Sequence, residues 1–165
     1  MNVYMTVGTL DFLKRMESNY PNEEMVTMVN EDGALLLHET NTGTVFKQAR
    51  RYEVIESHGK LKNEGFVVMN NIAVTDEGRP VFEHQFKNQS KQIKCEPGLM
   101  VYKLLRPLSS NTYVILTCWE NEAFYQKWQK SDSFFDGAKH KFAGMDEQPK
   151  IFTSAPYVSN FTITT

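Results

Sequence analysis

The chain is poor in cysteine. Cys95 and Cys118 are the only two in 165 residues, and they stand far apart outside any CxxC pattern. That spacing argues against a disulfide framework and for reduced thiols. Long apolar runs are missing too. None nears the roughly 20 residues a membrane span needs. The opening Met1-Asn-Val-Tyr-Met-Thr-Val-Gly8 lacks the basic region and apolar core of a signal peptide. The expectation is a soluble, cytoplasmic protein with no membrane partner. Neither sign of charge prevails, since 18 Lys and Arg face 20 Asp and Glu. No basic patch is large enough to argue for nucleic acid. There is no glycine-rich dinucleotide fingerprint and no nucleophile elbow around Ser or Cys. The carboxylates form no convincing acid/base pair, and Asp76-Glu77 reads as helix-start chemistry.

What is present is a large apolar and aromatic fraction, 41% and 12% of residues. That is enough for a real core in one domain, or in two small halves that share one. The first part reads as strand, helix, strands. Val3 to Val7 is a short β-branched strand. Thr9 caps a helix through about Tyr20, ended by Pro21. Residues 24–29 and 34–38 form a hairpin across Glu31-Asp-Gly33. A further short strand is expected over 44–48 and a short helix over 50–57. The polar segment His58-Gly-Lys-Leu-Lys-Asn-Glu-Gly65 marks a boundary.

The second part predicts a strand over 66–74 and a helix that starts near Asp76 and Pro80 and ends around Gln92. Strands at 99–105 and 113–119 follow, then a helix capped by Asn121, then a last strand over 157–164 with Val158, Phe161 and Ile163 alternating. The order βαββαβ is that of an α+β, ferredoxin-like sandwich. The reading divides the chain into a partial βαββ region at 1–62 and a complete module at 63–165. The first is an incomplete copy of the second. Two such units in one chain give an internal pseudo-dimer, so the chain is a monomer of that kind or a homodimer.

Three side chains stand out. Asn70, with Asn71, interrupts the apolar run Phe66-Val-Val-Met-Asn-Asn-Ile-Ala-Val74. Trp128 lies near the end of the helix after the third strand, and a lone His140 lies in the next segment. An amide, an indole and an imidazole can build an apolar pocket with one donor and one metal ligand, which suits an iron porphyrin. Taken singly, each has a plainer reading: core packing for Trp128, solvated surface for His140 beside Lys139 and Lys141, and a bulge for the two asparagines. His38, His58 and His84 lack ligand-like spacing, and the methionines read as core filling.

Longer phrases raise the conjunction above those readings. They include Tyr52-Glu-Val-Ile55, Asn70-Asn-Ile-Ala-Val-Thr75, Gly78-Arg-Pro80, Leu105-Arg-Pro-Leu108 and Thr112-Tyr-Val-Ile-Leu-Thr117. With the opening segment, they resemble the Isd-type heme monooxygenases, a branch of the antibiotic-biosynthesis monooxygenase (ABM) fold. The resemblance implies a site of one Asn, one Trp and one His. The Asn that precedes a Thr by five residues is Asn70, and the Trp before the Ser-Asp pair is Trp128. The first His beyond is His140. The family's Trp-to-His spacing is ten residues and here it is twelve, with the excess at Phe134-Phe-Asp-Gly137. Inside a helix two extra residues would turn His140 by about 200° at about 3.6 residues per turn. The excess therefore belongs in a bend at Gly137.

The resemblance further implies that heme is both substrate and cofactor, with His140 on the iron as its metal ligand, Asn70 donating on the distal side, and Trp128 against the ring. O2 is required, with an external reductant such as a flavin or NAD(P)H-dependent reductase. The alternative is a non-catalytic heme-binding protein, or a TRAP-like signalling protein of the same fold.

Overall fold

The computed structural model describes residues 1–130 and 156–164. The described residues form eight strands and three helices. They are β1 (Asn2–Gly8), α1 (Leu10–Asn19), β2 (Glu24–Asn30), β3 (Gly33–Thr40), β4 (Arg50–His58) and β5 (Phe66–Ala73). Then come α2 (Arg79–Ile93), β6 (Leu99–Pro107), β7 (Thr112–Trp119), α3 (Glu122–Lys130) and β8 (Tyr157–Ile163).

Local chemistry sets the ends of these elements. Thr9 accepts the amide N–H of Phe12 at 3.3 Å and caps α1. Asn121 accepts that of Phe124 at 3.2 Å and caps α3. Asn30 Oδ1 takes the N–H groups of Asp32 and Gly33 at the β2–β3 hairpin. Two expectations fail. Residues 50–57 form strand β4 rather than a helix, because Tyr52 and Val54 turn inward against β1 and β6. Residues 44–48 form no strand; Phe46 instead drops into the core beneath α1.

The strands pair antiparallel throughout and close into a barrel in the order β1-β3-β2-β8-β5-β7-β6-β4. Within the second half the order is β8-β5-β7-β6, and within the first it is β4-β1-β3-β2. Each is the ferredoxin-like arrangement, in which the outer strands flank the first and third. The halves join where β2 meets β8 and β4 meets β6. Every described strand therefore has two neighbours and no edge is left open.

Strand alternation sorts the core into layers. Val3, Met5, Leu35, Leu37, Val67, Met69, Val114, Leu116 and Cys118 fill the barrel. Outside it, α1 covers the first half over Tyr4, Leu13, Met25 and Leu36. On the second half, α2 and α3 cover Val68, Ile72, Tyr113, Ile115 and Trp119. Gly98, at φ 81°, lets the Phe124 side chain lie against bare backbone, since a Cβ there would come within 2.2 Å of it. Among the described residues, no helix is long and apolar enough to cross a membrane.

Candidate active site

Consecutive residues on β5 face opposite ways. Val67, Met69 and Asn71 point into the barrel, while Phe66, Val68, Asn70 and Ile72 point to the helix layer. Asn71 Nδ2 donates to Met69 O at 3.2 Å, and to Tyr157 O and Ser159 Oγ at 3.3 Å each. Asn70 differs. Its Nδ2 is buried and meets no hydrogen-bond partner among the described residues. A buried donor left unpaired costs roughly 1–3 kcal/mol, so such a group is a site that a ligand can complete.

Across from Asn70 stands Val158 of β8, with Asn160 opposite Val68 and Thr162 opposite Phe66. The sequence expectation put Val158 on the same face as Phe161 and Ile163. The register puts it on the other, beside Asn70. Val158 is 49% exposed. It forms one wall of a cleft that Asn70 adjoins through the strand pairing without itself lining it. Phe66, Val158 and Asn160 line that cleft from the sheet, and Glu122, Tyr125, Gln126 and Gln129 line it from α3. It measures about 290 Å³ and shares Phe66, Glu122, Val158 and Asn160 with a wider depression of about 390 Å³ that runs to the β2–β3 turn at Glu31 and Asp32.

Trp128 lies in the same helix layer, but not in the lining of that cleft. It is 3% exposed and packs on Trp119 of β7, ring centroids 5.1 Å apart, with Tyr125 6.2 Å away. Its remaining edge borders a groove on the other side of α3, formed with Glu96, Pro97, Phe124 and Lys127. Trp119 faces Phe66 across the ladder, so Trp128 sits about four residues, or about 13 Å along the strand, from the Asn70 position. His140 lies outside the described residues. Two of the other histidines are committed elsewhere. His38 is buried between Glu23 Oε2 at 2.9 Å and Thr44 Oγ1 at 3.0 Å, and exposed His84 meets Asn88 at 3.3 Å. Among the described residues, no group of three His, Cys, Asp or Glu could hold a metal ion.

A second polar cluster fixes α2 over the sheet. Arg106 holds Glu83 with two guanidinium nitrogens, at 2.6 and 3.0 Å, and reaches Glu53 at 2.8 Å. The Tyr113 hydroxyl donates to the same Glu83 carboxylate, and Arg79 lies 5.8 Å over the Tyr113 ring. Burial works against the Glu83 charge, yet these donors hold its carboxyl below the ordinary range. Burial first, then the Glu83 carboxylate, pushes the Tyr113 phenol up. Tyr113 faces Ile72, two residues along β5 from Asn70, so this network sets how the helix layer sits beside the cleft.

Sequence reasoning missed the cleft residues Tyr125, Gln126, Gln129 and Asn160, and the Glu83–Arg106–Tyr113 cluster. Gln126 and Gln129 were legible as an i, i+3 pair on one helix face. The cluster joins residues 7 to 30 positions apart with no local signal.

The cleft is apolar at Phe66 and Val158 and polar at Glu122, Gln126, Gln129 and Asn160, so it suits a ligand with an apolar face and a polar rim. The described cleft lining offers no cation for that ligand's acidic groups; Lys127 and Lys130 lie farther round α3.

The chain is similar to known proteins. The family described as antibiotic biosynthesis monooxygenase matches residues 65–139. A heme-degrading monooxygenase of Listeria monocytogenes is 30% identical over 78% of this chain and 77% of its own length. The signal transduction protein TRAP of Staphylococcus aureus is 28% identical over 81% of this chain and 80% of its own. The solved heme-degrading enzyme of L. monocytogenes superposes with a TM-score of 0.76 at 25% identity, covering 98% of each chain. The chain belongs to the ABM-domain family, with an ABM-type ferredoxin-like fold and a monooxygenase among its relatives.

Proposed function

We propose that the protein is a heme-degrading monooxygenase. It takes heme into the helix layer of the second half and opens the porphyrin with O2 and electrons from an external reductant. The observation that carries this reading is the buried Asn70 Nδ2, without a partner among the described residues, opposite Val158 of the cleft wall. Bound heme would supply the oxygen chemistry. The chain's own residues would bind, orient and keep water out. Asn70 donates its N–H into the ligand's polar centre and selects the position attacked. Phe66, Val158 and Tyr125 give the ring an apolar bed. Trp128, packed on Trp119 and Tyr125, would act through Tyr125 to limit how the ring seats. His140 would hold the iron through a ring nitrogen. A flavin or NAD(P)H-dependent reductase of the cytoplasm is the electron source that best suits a chain without a dinucleotide fingerprint.

The division at 62/63 belongs to the same proposal. The first half is an incomplete copy of the second in which residues 41–49 stand where a second helix would be, and Phe46 occupies the space beneath. One chain then supplies both halves of the barrel, so a monomer suffices and heme binds one to one.

Hemin titration tests the reading. A Soret band should saturate at one equivalent. With ascorbate, O2 and catalase present, it should decay and release iron. No decay over hours sinks the enzymatic reading. A saturating band without decay would favour a non-catalytic heme carrier, and no band at all a TRAP-like signalling role, which has relatives at similar identity.

A further inference from the structure

Tyr125, Trp119 and Trp128 form a continuous aromatic path from one surface of the protein to another. Tyr125 lines the cleft beside Asn70's strand. Its ring centroid lies 6.0 Å from that of Trp119, which is wholly buried. Trp119 lies 5.1 Å from Trp128, and Trp128 borders the groove of Glu96, Pro97, Phe124 and Lys127 on the far side of α3. Core packing alone explains burial of three rings. It does not call for Tyr125 and Trp128, 6.2 Å apart, to border different surface depressions beside a sealed Trp119. Trp119 Nε1 donates to Thr117 Oγ1 at 2.9 Å. Its indole proton is therefore held inside the protein, so a charge on this ring moves to a neighbour rather than to solvent.

We propose that Tyr125–Trp119–Trp128 is an electron relay that carries single electrons from the Trp128 groove to the cleft. The purpose assigned to it rests on the oxidative reading above; the relay itself is a property of the chain without ligand. A peroxide-class oxidant acting in the cleft takes one electron from Tyr125, whose phenolic proton leaves to cleft water. Trp119 returns the electron and water returns the proton. Trp128 refills Trp119, and a thiol- or ascorbate-class reductant at the groove refills Trp128. Each cycle moves one electron from reductant to oxidant and leaves the three rings unaltered. Two cycles, with the two protons that the oxidised reductant releases, reduce one peroxide O–O bond to two O–H groups, so the oxidant is spent without damage to the chain.

The test needs no heme. Cys95 is exposed and precedes the groove residue Glu96, whereas Cys118 is buried. A ruthenium photo-oxidant attached to Cys95 therefore addresses the groove end. After a flash with an electron-accepting quencher, transient absorption and EPR should show an indole radical that converts to a tyrosyl radical. Tyr125→Phe should abolish the tyrosyl signal and leave the indole signal. Trp128→Phe should abolish the tyrosyl signal while far-UV circular dichroism stays native. Trp119→Phe should slow its appearance without ending it, because Tyr125 also lies 6.2 Å from Trp128. A tyrosyl signal that survives either Tyr125→Phe or Trp128→Phe overturns the relay. Failure of the protein to bind hemin would sink the oxidative reading and leave this result standing.

Discussion

Asn70 and Asn71 are neighbours on one strand with opposite fates. The Asn71 amide is tied inside the barrel to β5 and β8, and the Asn70 amide faces the helix layer with its donor unpaired among the described residues. Strand geometry alone separates them, because successive side chains leave opposite faces of a sheet.

The two asparagines should therefore respond differently to substitution. Asn71→Ala strands buried acceptors and should cost about 1–3 kcal/mol in urea unfolding. Asn70→Leu removes an unpaired buried donor and should leave the melting temperature unchanged or raised. Under the proposed function, Asn70→Ala keeps hemin affinity and slows loss of the Soret band, because its donor acts mainly beyond the ground state. A destabilised Asn70→Leu, or equal losses of affinity and rate in Asn70→Ala, would make Asn70 a structural residue.

Lys103 and Glu39 cross the barrel. Lys103 on β6 is 2% exposed, and its ammonium meets Glu39 of β3 at 3.1 Å and Ser57 of β4 at 3.0 Å. The partners come from different halves of the chain and from strands that are not adjacent. Removing one partner leaves a buried charge alone, so Lys103→Met should cost about 3–5 kcal/mol. The double variant Lys103→Met with Glu39→Leu should regain much of that. Additive losses in a double-mutant cycle would show the pair to be uncoupled.

Glu83 makes stability depend on acid. Its folded carboxyl titrates below the ordinary range despite burial, because Arg106 and Tyr113 donate to its charged form. The stability this confers is fully present above the unfolded value of about 4.3 and is lost as pH falls through the lower folded value. The melting temperature should drop steeply across that acid window. In Glu83→Gln the same window should be flatter. Parallel curves for the two proteins would remove Glu83 from the account.

Cys118 is sealed in the barrel, and burial pushes its thiol up to about 12. A thiol-disulfide exchange reagent should titrate one thiol in the native protein, that of Cys95, and the second only in denaturant. With its folded value raised, Cys118 contributes stability below the ordinary thiol value of about 8.5 and loses it progressively as pH climbs above that. Two fast-reacting native thiols would contradict the packing around Gly65, where an added Cβ would already lie 2.5 Å from Cys118 Sγ.

Much of the fold was legible in order along the chain. Thr9 and Asn121 announced their helices through capping chemistry, and Asn30 to Gly33 announced a hairpin. Residues 50–57 misled because Tyr52, Val54 and Ile55 suit a helix face as well as a strand, and the contacts that decide between them lie on β1 and β6. Of the candidate site, Asn70 was marked by polarity inside an apolar run. Trp128 was marked as an aromatic on a short helix, but which surface it meets depends on Trp119 and on the bare backbone at Gly98.

Alternation, caps and turns are short-range, so the amino-acid order by itself determined most of the elements and a family likeness carried by whole phrases. Which strand closes against which was decided only in three dimensions. So were the orphaning of Asn70, the Lys103–Glu39 crossing and the aromatic path through Trp119, because each depends on partners brought together by the closure of the barrel and the seating of its helices.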